Sequence, residues 1–294
     1  MSAVRFDEGA LPRWTSVRAW RDDSAPIVER LRSQWDLSID HEFTGGVAGR
    51  AFAVRTRDGK SAVLKVGFPH PEAIAEAVAL EAWAPHCAPR LLATDVTGWG
   101  LLIERVHPGT HLSTAGHPTE VALELAFRVL ADAHHTRVPS AVPALGEVIG
   151  DWPENARQMI AGRSAGDLAR ILPWLALADQ LIAEDGGDAL LHGDVNPGNV
   201  LDRRGSLVLI DPKPMRGRAE FDPAPLLEQV APFTPDDLAR RVNIAVDVLG
   251  ADRALTIAWG AVRAALNVAW AWDDGNDGAP ELHALEAWES LSAA

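Results

Sequence analysis

A chain of 294 residues is long enough to bury a large core, in one big domain or in two lobes. Its 47% hydrophobic and 23% charged residues suit a globular protein, and a formal net charge of -14 repels nucleic acid and anionic membrane surfaces while attracting cationic ligands. One cysteine, Cys87, excludes an internal disulfide, and the lack of a signal core in residues 1–14 or of a long apolar run makes a cytoplasmic protein the simplest expectation.

From the N-terminus, Trp14, Val17, Ile27, Val28, Leu31 and Trp35 alternate with charges, which predicts helix on either side of a break at Pro26. Over residues 39–66 the period becomes that of strands. Phe52 and Val54 lie on one side of Asp58-Gly59, and Ala62, Val63, Leu64 and Val66 on the other, as in a hairpin. The preceding Thr44-Gly45-Gly46-Val47-Ala48-Gly49-Arg50 fits no phosphate-loop pattern. A plain hairpin turn explains it nearly as well as a flexible loop over phosphates centred on Gly46.

Lys65 sits inside the apolar run 62–66, where a charge is costly unless paired, and the chain has only two other lysines, Lys60 and Lys213. The helical stretch 71–83 offers Glu76 and Glu81 as partners; the bland alternative is a snorkelling edge-strand lysine. Residues 90–93 and 101–104 predict two more strands, which would complete a five-stranded antiparallel sheet. Glu104-Arg105-Val106-His107-Pro108-Gly109 then breaks the pattern.

His107, His111 and His117 lie among Pro and Gly, share no helix face and have no acidic or cysteine ligand at matching spacing, so they read as loop histidines. A helix is predicted over 120–135, ending in His134 and His135, where the helix dipole favours a cation. Gly162-Arg163-Ser164-Ala165-Gly166 fits G-x-S-x-G, but that hydrolase motif requires a turn from strand to helix. Here helical patterns over 151–161 and 168–183 flank it, so Ser164 or Asp167 reads as a helix cap.

The chemistry concentrates in residues 190–214, L-L-H-G-D-V-N-P-G-N-V-L-D-R-R-G-S-L-V-L-I-D-P-K-P. Two apolar runs, 189–191 and 207–210, are too short for helices and predict small strands flanking a polar loop. Asp194 precedes Asn199 by five residues, and Asp211 ends the second run, which matches the D-x-x-x-x-N plus Asp arrangement of kinase-like sites. A carboxylate can orient an attacking hydroxyl and accept its proton, while hard oxygen ligands hold Mg²⁺ against nucleotide phosphates. Asp194 is therefore the expected base, and Asn199 and Asp211 the expected metal ligands. A surface hairpin is the alternative, because Asp, Asn, Gly and Pro are ordinary turn residues.

Beyond Pro214 four helices are predicted, over 224–230, 235–249, 252–272 and 280–291. Trp270 with Asp273 and Asp274, near Asp277 and Glu281, is a reasonable place for a hydroxylated cationic acceptor, since carboxylates pair with ammonium or guanidinium groups and indoles pack on sugar faces. A solvated loop beside core tryptophans explains the same residues equally well.

L-H-G-D-V-N-P-G-N-V-L followed by L-I-D-P-K-P resembles the aminoglycoside phosphotransferases, most closely the branch of streptomycin 6-kinases and aminoglycoside/hydroxyurea resistance kinases. The resemblance implies an α+β, protein-kinase-like two-lobe fold. Residues 1–104 would form a small antiparallel-sheet lobe that binds nucleotide, 105–109 a hinge, and 110–294 a larger, mainly helical lobe for catalysis and substrate. It also implies Mg²⁺ with ATP or GTP, and transfer of the γ-phosphoryl group to a hydroxyl of a small cationic acceptor, streptomycin-like at first guess. A kinase of hydroxyurea, an amino sugar or a metabolite is the alternative, and a non-catalytic nucleotide-binding regulator a further one. By the same resemblance Lys65 holds the α- and β-phosphates with Glu76 orienting it, and Glu104 to Val106 read the nucleobase through their backbone. Asp222 props the polar loop, with His192 in support. Relatives usually read H-G-D-L-H-P-G-N and G-D-P-x-F-D, where this chain has Val195-Asn196 and Gly217-Arg218-Ala219-Glu220-Phe221-Asp222. The second departure loses an acidic residue near the substrate side and leaves the acceptor open.

Overall fold

The computed structural model describes residues 17–44, 48–95, 99–230 and 234–292. Its organising strand is β3 (Ser61–Gly67), where Ala62, Leu64 and Val66 are fully buried while Val63 and Lys65 turn to the other face, as the two-residue period of a strand requires. β3 is central in an antiparallel sheet with β1 (Ser38–Glu42), β2 (Gly49–Arg55), β4 (Leu91–Thr94) and β5 (Gly100–Glu104), in the order β1-β2-β3-β5-β4. The β2–β3 register pairs Arg55 with Ser61 around the Asp58-Gly59 turn, and Gly59 takes φ 78°, which a residue without Cβ adopts at no steric cost. Gly46 lies outside the described residues.

Helices α1 (Val17–Asp23) and α2 (Ala25–Gln34) cover one face of the sheet, burying Trp20, Val28 and Leu31 against Phe52, Val54, Leu64 and Val66. The break expected at Pro26 falls instead at Ser24, whose hydroxyl donates to the Arg21 carbonyl at 2.8 Å. Pro26 sits in the first turn of α2, where a missing N–H costs nothing.

The helix α3 (Glu76–Trp83) belongs to the other core. Its Ala79, Leu80 and Trp83 join the apolar cluster of the helical lobe, and the Trp83 indole donates to the Ala133 carbonyl at 3.0 Å. That lobe contains α4 (Thr119–His134), the short α5 (Leu145–Ile149), α6 (Trp152–Ile160), α7 (Ala165–Ala183), α8 (Ala224–Gln229), α9 (Pro235–Leu249), α10 (Arg253–Asp273) and α11 (Ala279–Ser292). The helices predicted from periodicity form, the stretch 71–83 only from Glu76 onward, after a 3-10 turn at Pro71–Ala73; α5, only five residues long, carried too little pattern to be anticipated. Ser164 accepts from the Asp167 N–H at 3.2 Å and caps α7, so the G-x-S-x-G match joins two helices. By length and composition α10 could cross a membrane, but 67% of its apolar window is buried in the protein, where it packs against α6, α7, α9 and α11 as a core helix.

Four short strands lie at the foot of this lobe: β6 (Ala189–Leu191), β7 (Val200–Arg203), β8 (Ser206–Leu209) and β9 (Met215–Gly217). The two apolar runs read from the sequence do not pair with each other. β6 pairs with β9 and β7 with β8, both antiparallel, so the polar loop between β6 and β7 and the turn after β8 lie side by side. Strands of three or four residues carry too little alternation for their partners to be read locally.

Candidate active site

The loop after β6 is held by backbone bonds and by one buried carboxylate. Asp222 accepts from the His192 N–H and the Gly193 N–H, both at 2.7 Å, and from His134 Nε2 at 2.8 Å. Burial opposes its charge, but His134, His192 and the backbone donors outweigh that and hold its carboxyl below the usual aspartate range. His192 Nε2 donates to the Ile210 carbonyl at 3.0 Å while Nδ1 faces the Asp194 N–H at 3.3 Å, which describes a neutral ring, and burial pushes its pKa down accordingly. The ring stacks on Trp83 with centroids 6.0 Å apart.

These bonds lay the loop along the residues after β8. The Ile210 N–H donates to the Asn199 carbonyl at 2.9 Å and the Lys213 N–H to the His192 carbonyl at 2.8 Å. Gly193, at φ 80°, packs so closely there that a Cβ would fall 2.1 Å from the Lys213 carbonyl oxygen. Asp194, Asn199 and Asp211 are thereby brought to one place. Asp211 itself takes φ 56°, a left-handed conformation that aspartate tolerates better than most residues and that recurs at functional sites.

Lys65 reaches this cluster from the sheet lobe. Its ammonium lies 2.5 Å from Glu76 Oε1 and 2.5 Å from Asp211 Oδ1, a partner 146 residues away in sequence. Glu81, the other partner considered, is exposed. Burial works against the Lys65 charge, but Asp211 and Glu76 overcome it and hold the ammonium well above the ordinary lysine value. Lys65 in turn holds Asp211 low, while burial pushes Glu76 up.

The oxygens left over suit a hard cation. Asn199 Nδ2 donates to the Asp194 carbonyl at 2.9 Å, and since a carbonyl can only accept, this orients the amide and leaves Oδ1 for another partner. The Asp211 side chain remains 54% exposed beyond its pairing with Lys65. One amide and one carboxylate oxygen fit Mg²⁺, which binds through few protein ligands plus phosphates and water. The described residues contain no set of three His, Cys, Asp or Glu that would make a dedicated cage.

Other expected residues fall as follows. The Glu104 carboxylate accepts from the Arg90 N–H at 3.1 Å and lies 3.7 Å from Arg203, while its own N–H donates to the Arg90 carbonyl at 2.8 Å. The Arg105 and Val106 N–H groups have no backbone acceptor among the described residues. Trp270 and Asp274 line a cavity of about 660 Å³ together with Glu228, Asn267 and Glu281, whereas Asp273 is exposed and does not line it. Asp277 instead accepts the Trp272 indole N–H on its carbonyl at 2.9 Å and the Ala279 N–H on its carboxylate at 3.0 Å. The cavity adjoins the polar loop through α10. Arg263, one turn before Asn267 on the same face, reaches the Gly193 carbonyl at 3.5 Å.

Several residues escaped sequence reading. His134 was expected to complement a helix dipole but is buried against Asp222, 88 residues away. His111 Nδ1 lies 2.6 Å from the Gly198 carbonyl and fastens the loop from the outside. Glu228 accepts from the Trp288 indole at 2.7 Å; burial pushes its pKa up to about 7, with Trp288 and Arg263 working against the rise. Lys213 lies 3.2 Å from Glu72 and 3.7 Å from Asp194. Burial lowers its pKa, but Asp194 and Glu72 overcome that and hold it charged. Its rarity was the one signal available, as it is one of three lysines in the chain.

The family model described as aminoglycoside/hydroxyurea antibiotic resistance kinase matches residues 34–275. The chain belongs to this family. It is 30% identical over 271 residues to a streptomycin 6-kinase of Streptomyces glaucescens, covering 88% of this chain and 86% of the relative. To a hydroxyurea phosphotransferase of Kitasatospora aureofaciens it is 33% identical over 263 residues, covering 86% and 75%. Among solved structures, a thermostable mutant of aminoglycoside phosphotransferase APH(4)-Ia, in ternary complex with AMP-PNP and hygromycin B, superposes with a TM-score of 0.62 at 14% identity, covering 92% of this chain and 98% of that one. As a member of the resistance-kinase family the chain is a small-molecule kinase with the protein-kinase-like fold, an antiparallel-sheet lobe and a helical lobe.

Proposed function

We propose that this kinase transfers the γ-phosphoryl group of ATP to a hydroxyl of a cationic aminoglycoside-type antibiotic, with a streptomycin-like acceptor as the leading candidate. The reading is carried by the convergence of Lys65 from strand β3 and Glu76 from α3 with Asp194, Asn199 and Asp211 of the polar loop and the turn after β8. Residues 1–104 and 110–294 act as the two lobes and 105–109 as the hinge, with the Val106 N–H free to read a nucleobase edge. Lys65 holds the α- and β-phosphates, and Glu76 keeps it extended between the lobes. Asn199 Oδ1 and Asp211 would hold Mg²⁺, which supplies charge neutralisation on the phosphates when bound. Asp194 orients the acceptor hydroxyl and takes its proton, and Asp222 keeps the Asp194 loop in place through the His192 and Gly193 amides. Dependence on ATP goes with a cytoplasmic location.

The acceptor subsite is the cavity over α10, where Trp270 offers an indole surface and Asp274 and Glu281 offer two carboxylates, with Glu228 beside them. Such a set suits guanidinium or ammonium groups on a sugar. Hydroxyurea, small and uncharged, would leave those carboxylates unpaired; the similarity to a hydroxyurea phosphotransferase keeps it as the second reading.

The test is ADP release with Mg-ATP against streptomycin, other aminoglycosides, hydroxyurea and simple amino sugars. We expect turnover with a cationic sugar, reduced about 10²-fold or more in Asp194→Asn while nucleotide binding persists. Turnover of the variant within a few-fold of wild type would remove Asp194 as the base, and turnover with hydroxyurea alone would replace the acceptor assignment.

A further inference from the structure

Lys213 is a second cation at the phosphoryl-transfer site, and nothing in the scheme above uses it. Its backbone is fixed by the bond from its N–H to the His192 carbonyl at 2.8 Å, by Gly193 packed on its carbonyl, and by the buried Pro212 and Pro214 on either side. Only the side chain is left to choose a position, and it carries its ammonium to 3.7 Å from Asp194 Oδ2 and 3.2 Å from Glu72 Oε2. The two active-site lysines differ in their freedom. The Lys65 side chain is 16% exposed and is engaged by two carboxylates at 2.5 Å each, whereas that of Lys213 is 42% exposed and its contact with Asp194 is too long for a direct hydrogen bond. An ammonium has three N–H donors, so the one toward Glu72 leaves others open to the site.

The geometry points to Lys213 as a catalytic residue that binds the equatorial oxygens of the transferring phosphoryl group. A hydroxyl held by Asp194 must lie within hydrogen-bond reach of that carboxylate, and the γ-phosphorus about 3–3.5 Å beyond it in a reactive pose. An ammonium beside the same carboxylate is therefore within a short side-chain motion of the γ-oxygens. As the acceptor oxygen bonds to phosphorus, the bond from phosphorus to the bridging oxygen of ADP breaks, ADP carries away the electron pair, and the hydroxyl proton passes to Asp194. Lys213 remains an ammonium throughout and neutralises charge on the oxygens that neither bond to the acceptor nor leave. A cation that reaches developing charge in a site shielded from water lowers the barrier by electrostatic stabilisation. Glu72, from the 3-10 turn Pro71–Ala73 before α3, pairs with the ammonium but is not needed to bring it to phosphate, which competes for the same N–H groups.

The inference rests on the proposed phosphotransfer, and the rival role for Lys213 is a structural tie between lobes through Glu72. The experiment measures kcat and KM for ATP with streptomycin, together with acceptor-free ATP hydrolysis and the affinities for MgADP and for MgADP with aluminium fluoride. The proteins are wild type, Lys213→Met, Lys213→Arg and Glu72→Gln. We expect Lys213→Met to lose about 10²-fold in kcat and the preference for the fluoroaluminate complex, with KM for ATP and MgADP affinity within a few-fold of wild type. Lys213→Arg should recover part of the loss, and Glu72→Gln, which breaks the tie but keeps the ammonium, should stay within a few-fold in kcat. A Lys213→Met protein with near-normal kcat and fluoroaluminate affinity overturns the inference while leaving the kinase reading standing. Equal losses in Lys213→Met and Glu72→Gln overturn it in favour of the tie. If Lys213→Met does not fold, an inactive but MgADP-binding Lys213→Arg, alongside an active Glu72→Gln, still supports the catalytic role, and a fully active Lys213→Arg with an inactive Glu72→Gln rejects it. Wild-type protein that neither binds MgATP nor releases ADP overturns the phosphotransfer reading and this inference together.

Discussion

Replacing Asp222 with asparagine tests how the polar loop is held. The carboxylate accepts three buried hydrogen bonds, His192 N and His134 Nε2 on Oδ2 and Gly193 N on Oδ1. An asparagine whose oxygen takes the Oδ2 position keeps two of them in neutral form and turns its NH₂ toward the Gly193 N–H. Leaving one buried donor unsatisfied costs roughly 1–3 kcal/mol, and turning two charge-assisted bonds into neutral ones costs about 1 kcal/mol each. The sum, about 3–5 kcal/mol, is a large part of a typical folding stability. Urea unfolding of both proteins at pH 7 should show that difference as a lower midpoint with an unchanged slope. The pH dependence follows from the depressed carboxyl. The contribution of Asp222 is fully present above the usual aspartate value of 3.8 and is lost as the pH falls through the lower value of the folded state, so the gap between wild type and variant should begin to narrow only below about that value and close further down. A loss under about 1 kcal/mol at pH 7 together with unchanged turnover would refute the assignment of Asp222 as the anchor of the loop.

Lys65→Met should weaken MgADP binding at least about 10-fold by calorimetry, since it removes the cation proposed to hold the phosphates and leaves Glu76 buried without its lysine partner. Glu228→Gln should be stabilising in alkaline solution: with a folded-state value of about 7 against the usual 4.5, the wild-type carboxyl loses stability as pH rises from 4.5 through 7. Discounted for its exposure to the cavity, the gain should be about 1–2 kcal/mol at pH 8 and should vanish near pH 4.5, read from thermal unfolding at both values. Gly193→Ala should cost several kcal/mol and lower soluble yield, because a Cβ at φ 80° would meet the Lys213 carbonyl at 2.1 Å.

The parts of the site legible in the sequence are those whose geometry is set by neighbours in the chain. Asp194 and Asn199 sit on one short loop, and the Asn199 side chain bonds to the Asp194 carbonyl five residues back. Lys65 stood out because a strand's alternation made an unpaired charge there untenable, and its partner Glu76 lies only 11 residues on. What escaped were residues whose role depends on distant partners: His134 on Asp222, Lys213 on Glu72 and Asp194, and Glu228 on Trp288, 60 residues away. In sequence each looked like an ordinary helix-end or surface polar residue.

By itself the sequence determined most element types, the hairpin of the sheet lobe, the helical character of residues from Ala224 onward, and the spacing of acid and amide in the polar loop, but not strands β7 and β9, the latter falling at Met215–Gly217 where helix was expected. The features it determined depend on local periodicity, on turn residues such as Asp58-Gly59, or on caps such as Ser164. Tertiary structure alone decided which short strands pair, which of the acids near α10 line a cavity, and which lysine stands beside Asp194. Strands of three residues and single side chains carry no period of their own, so their partners are chosen by the packing of the lobes, where burial makes an unpaired charge or N–H too costly to leave.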